Sequence, residues 1–237
     1  MKIYFINLKK AKIFLYWFLV LTLVSFLAGV SFGKVKKPVS AVAPPVYHGS
    51  LHDKEIAFTF NVVWGEEYLP DILKILRDNE VKATFFIGGS WAEKYSHLVR
   101  QIDNDGHEIG SHGYSHPHPD ELTLEENVEE IKKAESVLES ITGKKPVFFA
   151  PPYGEKGRAV LSAAEMLGYT TILWSIDTID WQRPEPSLIV KRVLEKAHNG
   201  AIVLMHPTEP TVKALPYLIS ELKGMGYKLV TVSTVLN

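Results

Sequence analysis

From residue 54 to the end of the chain, short apolar runs of β-forming residues alternate with amphipathic helical stretches, an order that few folds accept. The runs 55–62 (EIAFTFNV), 82–87, 107–112, 147–150, 171–176, 201–205 and 228–232 read as strands. Between them apolar residues recur at helical spacing over 69–79, 91–103, 158–167, 187–198 and 212–225, the last broken or started by Pro216. The clearest helix is 123–142. Thr123 and Glu126 fit a capping box, Leu124, Val128, Ile131, Leu138 and Ile141 form its apolar stripe, and Gly143 ends it. Strict βα alternation requires parallel strands, so seven strands with six intervening helices predict an α/β barrel, closed or nearly so. No Gly-x-Gly-x-x-Gly turn follows the first strand, which argues against an open dinucleotide-binding sheet.

The N-terminus has a different character. Lys2, Lys9, Lys10 and Lys12 precede an uncharged run over 13–33, whose 21 residues would rise about 31 Å as a helix, enough to cross a bilayer core. Residues 1–33 are therefore expected to form a membrane-spanning signal-anchor or a signal peptide. A single-pass cell-membrane localisation follows, with the folded part outside the cytoplasm. Secretion after cleavage is the alternative, Ala41-Val42-Ala43 having the shape of a cleavage site. Residues 34–53, rich in Pro and Lys, read as a flexible tether, and 54–237 as the folded domain. A net charge of −1 with interspersed signs leaves no footprint for nucleic acid. The absence of cysteine excludes disulfides, a thiol nucleophile and cysteine zinc sites. The domain is expected to be a monomer.

Placed on the strand map, the chemistry-bearing residues gather at strand ends. Asn61 ends the first strand and His112 the third, Pro152 and Tyr153 follow the fourth, Asp177 and Asp180 the fifth, and His206 ends the sixth. Active sites of α/β barrels assemble at that C-terminal rim. His112 and His116, four residues apart, have the spacing of a pair of metal ligands.

These segments, in this order, resemble the NodB-homology polysaccharide deacetylases (carbohydrate esterase family 4), and the resemblance covers about residues 54–237. The family's five motifs are matched by Thr59-Phe60-Asn61-Val62, by His112 and His116, by Ala150-Pro151-Pro152-Tyr153, by Asp177-Thr178-Ile179-Asp180-Trp181, and by Leu204-Met205-His206. The resemblance implies a distorted (β/α)₇ barrel and metal-dependent removal of acetyl groups from N-acetylhexosamine polymers of the cell wall. It implies a divalent metal, zinc in the first instance, on His112 and His116. His206 would be the general acid, oriented by Asp180. Tyr153 would offer a backbone N–H to the oxyanion, with Pro152 beside it and Trp181 walling the sugar.

Three departures bear on activity. Where the family carries its base Asp, its metal-ligand Asp and the Arg that orients the base, this chain has Asn61, Val62 and Ala150. The losses are coupled, because an Arg at 150 without a carboxylate at 61 would be a buried cation lacking its partner. A neutral Asn accepts no proton, and loss of a general base costs about 10²–10⁴-fold in rate. Glu66 or Glu67 could supply a replacement carboxylate. Two readings follow: a weak deacetylase with loosely held zinc, or a non-catalytic relative that binds glycan or a partner through the same groove.

Overall fold

The structure is a computed structural model and describes Met1, residues 8–31 and residues 42–237. Helix α1 spans Leu8–Ser31. Among the described residues no helix is long and apolar enough to cross a membrane. Lys9, Lys10 and Lys12 lie in the first two turns of α1. The expected membrane-spanning helix is corrected accordingly, and with it the membrane partner and the single-pass localisation. Lys2, Gly33, the tether's first residues 34–40 and Ala41 lie outside the described residues.

Val42–Asn237 form one compact unit. Its strands are β1 (Glu55–Val62), β2 (Thr84–Ile87), β3 (Glu108–Ser111), β4 (Phe148–Phe149), β5 (Thr170–Thr171), β6 (Ile176–Asp177), β7 (Ala201–Met205) and β8 (Lys228–Val230). They form a curled parallel sheet in the order β5-β4-β3-β2-β1-β7-β6. Strand β1 is the hub. It pairs with β7 through Ile56↔Ala201 to Phe60↔Met205, with β2 through Thr59↔Thr84 to Val62↔Ile87, and with β8 at its N-terminal end. The expected strand over 171–176 is two short strands, because its first part pairs with β4 and its last with β7. Val46 and His48 bridge to Ile172 and Ala201, so residues just before the first strand are hydrogen-bonded onto the sheet.

Helices α2 (Leu69–Asp78), α3 (Gly89–Lys94), α4 (Ser96–Asn104), α5 (Leu124–Thr142), α6 (Arg158–Met166), α7 (Pro186–Leu194), α8 (Glu209–Gly224) and α9 (Val232–Leu236) flank the sheet. The capping box of Thr123 and Glu126 is formed, and Gly143 takes the left-handed cap. The stretch 91–103 is broken at Tyr95 into α3 and α4. Helix α8 starts three residues before Val212, at Glu209. The Thr208 side chain caps it, and Pro216 lies inside it.

Alternation along β1 divides the core. Phe58, Phe60 and Val62 belong to the large apolar cluster shared with the flanking helices. Ala57 belongs to an inner cluster with Phe86, Phe148, Ala150, Ile172 and Ile202, which fills the curl. Val232 and Val235 of α9 complete that inner plug. The Val232 N–H donates to Thr84 Oγ1, closing the base of the curl. The opposite mouth, at the C-terminal strand ends, stays open.

Candidate functional site

The open mouth is a cavity of about 590 Å³ lined by Asn61, Val63, Trp64, His112, His116, Tyr153, Gly154, Trp174, Asp177, Trp181, Leu204 and His206. Val63, Trp64, Trp174, Trp181 and Leu204 give it largely apolar walls, as ligand pockets commonly have. Seven of the predicted site residues are thus accounted for as follows: Asn61, His112, His116, Tyr153, Trp181 and His206 line the cavity, and Asp180 stands directly behind His206. The eighth, Pro152, is buried in the turn that carries Tyr153 and does not line it.

His112 follows β3 and is 2% exposed. Its Nδ1–H donates to the Ala150 carbonyl at 2.6 Å, which leaves Nε2 with its lone pair. Burial, helped by the neighbouring His116, pushes the His112 imidazole down to about 3. The two rings lie 5.0 Å apart between centroids, and burial lowers His116 too. His116 has φ 59°, Tyr153 58° and Ile179 53°. Left-handed backbone at non-glycine residues is uncommon, and for β-branched Ile179 it is strained. Glu80 and Arg183 are the other non-glycine residues with positive φ among those described.

His206 is held by a saturated carboxylate. Asp180 is fully buried, and its oxygens accept from His206 Nδ1–H at 2.8 Å, the His206 backbone N–H at 2.6 Å and Thr211 Oγ1–H at 2.6 Å. A buried carboxylate needs such partners to offset its lost hydration. Asp177 lines the cavity itself, and its Oδ1 accepts from the Ile179 N–H at 2.8 Å.

The altered half of the site differs from the reading by position alone. Asn61 is 6% exposed, faces the cavity, and its Oδ1 has no hydrogen-bond partner among the described residues. Val62 points the other way. It is fully buried in the helix-facing cluster and does not line the cavity, whereas Val63 and Trp64 do. Gly65, at φ 82°, sits where a Cβ would come within 2.2 Å of the Pro207 carbonyl. That close approach lets Trp64 lie over His206, with ring centroids 5.7 Å apart and planes at 7°. Ala150 is buried in the inner apolar cluster. Glu66 does not replace the missing carboxylate. The Tyr95 hydroxyl, and more weakly the Trp91 indole, engage it, and chiefly Tyr95 holds it below the usual carboxylate range. Glu67 does not line the cavity either.

Among the described residues, no group of three or more His, Cys, Asp or Glu side chains is arranged to hold a metal ion. Catalytic zinc sites use three protein ligands, so the His112–His116 pair by itself does not fit the metal that the family's chemistry implies.

Trp64, Trp174 and His118 were not legible as site residues. His118 stacks on Tyr153 at 3.9 Å and donates from Nδ1 to Glu155 at 2.8 Å, which fixes the exposed ring at the cavity edge. Trp64 had one signal, its place in a segment that departs from the family's first motif.

A curled parallel sheet with His-x₃-His and a His–Asp pair at its C-terminal rim defines a deacetylase-type carbohydrate esterase scaffold. The chain belongs to that family: residues 48–172 match Polysaccharide deacetylase. It is 45% identical over 193 residues to YlxY of Bacillus subtilis, an uncharacterized protein, covering 81% of this chain and 60% of that one. It is 36% identical to a peptidoglycan-N-acetylglucosamine deacetylase of Bacillus cereus, covering 80% of this chain and 70% of the relative. In structure it is similar to a CE4 family pseudoenzyme from Bacillus anthracis, with TM-score 0.81 and 41% identity over 83% of this chain and 70% of that one. A mutant of that pseudoenzyme with restored enzymatic activity also gives TM-score 0.81, at 40% identity over 83% of this chain and 72% of that one. The chain spans less than two thirds of YlxY's length.

Two outcomes are expected. Val62→Asp buries an unpaired carboxylate in the helix-facing core, so it should cost roughly 3 kcal/mol or more and add no zinc affinity; urea unfolding and zinc titration check both. Stability should also fall with acid. Folded His112 stays neutral down to about 3, whereas the unfolded chain protonates it near ~6.5. Between these values the unfolded state binds more protons, so stability rises with pH. The contribution is fully present above about pH 6.5 and is lost progressively toward pH 3, at up to about 1.4 kcal/mol per pH unit. Urea melts across that window should show a shallower slope for His112→Gln.

Proposed function

We propose that this chain is a non-hydrolytic member of the family that binds N-acetylated cell-wall glycan in the rim cavity. The observation that carries the reading is the direction of Asn61 and Val62. The position of the base faces the cavity as a neutral carboxamide, and the position of the metal-ligand Asp faces away from it. Among the described residues no third His, Asp or Glu joins His112 and His116 in a metal-binding group, so no hydrolytic step is routed through a metal here. Similarity to a protein that is itself a CE4 family pseudoenzyme supports the reading.

The binding half is well provided. Tyr153 is 56% exposed and Trp181 53%, so both present open aromatic faces on the cavity wall. Such faces suit the apolar sides of sugar rings, and His118 and His116 packed against Tyr153 hold its ring in place. Cell-wall N-acetylhexosamine polymers are the ligand class that the named relatives suggest.

A second reading, slow deacetylation with His206 as general acid positioned by Asp180, is favoured by their intact hydrogen bonds. The two separate in one assay. Wild type should release no acetate from N-acetylglucosamine oligomers above background, with or without added zinc, yet should co-sediment with peptidoglycan. Trp181→Ala should weaken that sedimentation about tenfold, given ~1.4 kcal/mol for a lost stacking face. Acetate release that disappears in His206→Gln would establish the second reading instead.

A further inference from the structure

We infer that residues 46–50 are a strap that closes the curl and positions Trp174 and Tyr153 of the rim cavity, so that loosening the strap opens the mouth. The inference concerns the shape of the cavity and holds whatever ligand occupies it.

Strands β5 and β6 are consecutive in the chain but stand at opposite ends of the sheet order. Thr170 and Thr171 pair with β4, and Ile176 and Asp177 with β7, so the chain crosses from one edge to the other over residues 172–175. Residues 46–50 bridge the same two edges. The Val46 N–H donates to the Thr171 carbonyl at 2.9 Å, and the Leu173 N–H to the Val46 carbonyl at 2.8 Å. Three residues on, the Gly49 N–H donates to the Gly200 carbonyl at 2.7 Å, and the Ser50 N–H to the Val235 carbonyl at 3.1 Å. The Val46 side chain packs against the inner cluster. Thr171, Leu173 and Gly200 are buried, and buried backbone groups that lose their partners are costly. Two glycines permit the close approach. A Cβ on Gly49 would lie 1.8 Å from the Val235 carbonyl oxygen, and one on Gly200 2.5 Å from that of Ser50.

The strap reaches the cavity by two routes. Leu173, bonded to Val46, directly precedes Trp174, which lines the cavity and packs against the inner cluster. Trp174 in turn abuts Gly154, where a Cβ would come within 2.6 Å of the indole, and Gly154 follows Tyr153. The second route is the Lys156 ammonium, which donates to the Tyr47 hydroxyl at 2.7 Å and so ties the segment after Tyr153 to the strap. One short segment therefore supports both aromatic residues. Its release takes a partner from Leu173 and from Lys156 together. A local opening of this kind needs far less free energy than unfolding of the β1 hub.

Hydrogen exchange and hydroxyl-radical footprinting of the whole chain, both read by mass spectrometry, test this. Wild type is compared with Gly49→Ala, whose added Cβ must push the strap off Val235, and with Gly224→Ala, where a Cβ meets nothing within 4 Å. Gly49→Ala should speed exchange over 171–177 about tenfold and increase oxidation of Trp174, while exchange over 58–62 and 84–87 stays at the wild-type rate. Gly224→Ala should match wild type throughout. Val46→Ala keeps the backbone and trims only the side chain in the inner cluster. It should move the same two readouts in the same direction by about threefold, and it decides the matter if Gly49→Ala does not fold. Faster exchange confined to 42–50, with Trp174 oxidised as in wild type, would overturn the inference. A uniform rise that includes 58–62 and 84–87 would also overturn it, because the segment would then be one more part of the global fold.

Discussion

Pairing of β1 on both edges is the constraint from which the rim takes its form. Strand β1 is hydrogen-bonded to β7 on one side and to β2 and β8 on the other, so its side-chain alternation cannot slip without moving the whole core from one face to the other. Phe58, Phe60 and Val62 are committed to the helix-facing cluster, which leaves Asn61 to face the cavity. Successive side chains of a strand point to opposite faces while its pairing stays regular. Here the strand stays paired through Val62↔Ile87, and that regularity turns the second position away. The altered half-site is therefore set by register as well as by side chain, position 61 facing the cavity and position 62 the helix-facing cluster.

The retained half reads differently in this light. His206 and Asp180 look like surviving catalytic machinery, but their hydrogen bonds also have a structural duty. The Asp180 carboxylate ties the backbone at the end of β7 to Thr211 in the first turn of α8, and Thr208 caps that same helix. Removing any member would leave a buried charge short of partners. Such a network persists on structural grounds whether or not a proton is ever transferred through His206, so its presence is weak support for catalysis.

Much of this was legible in the chain itself, because it depends on local pattern. The alternation of runs from Glu55 onward gave the parallel sheet, and the capping box at Thr123 and the glycine at 143 placed α5 closely. The rim residues were legible because short motifs fall at strand ends. What was not legible depends on distant partners. The division of 171–176 into β5 and β6 is decided by which neighbour each half meets, and the role of Val46 and His48 at the sheet edge by the strands they reach. The opposite facing of Asn61 and Val62 needs the register with β2. The placing of Trp64 needs the close approach of Gly65 to Pro207. The apolar run over 13–33 reads as a membrane span, yet among the described residues no helix is long and apolar enough to cross a membrane.

The cavity is proposed to hold an intact N-acetylated sugar against its aromatic wall, with no metal at His112 and His116. X-ray diffraction at the zinc edge from crystals soaked with zinc and the N-acetylglucosamine tetrasaccharide tests it most directly. Sugar density against Tyr153 and Trp181 and no anomalous peak between the two imidazoles are the expected result. A strong anomalous peak coordinated by His112 and His116, with water and the sugar's carbonyl completing a tetrahedron, would contradict it.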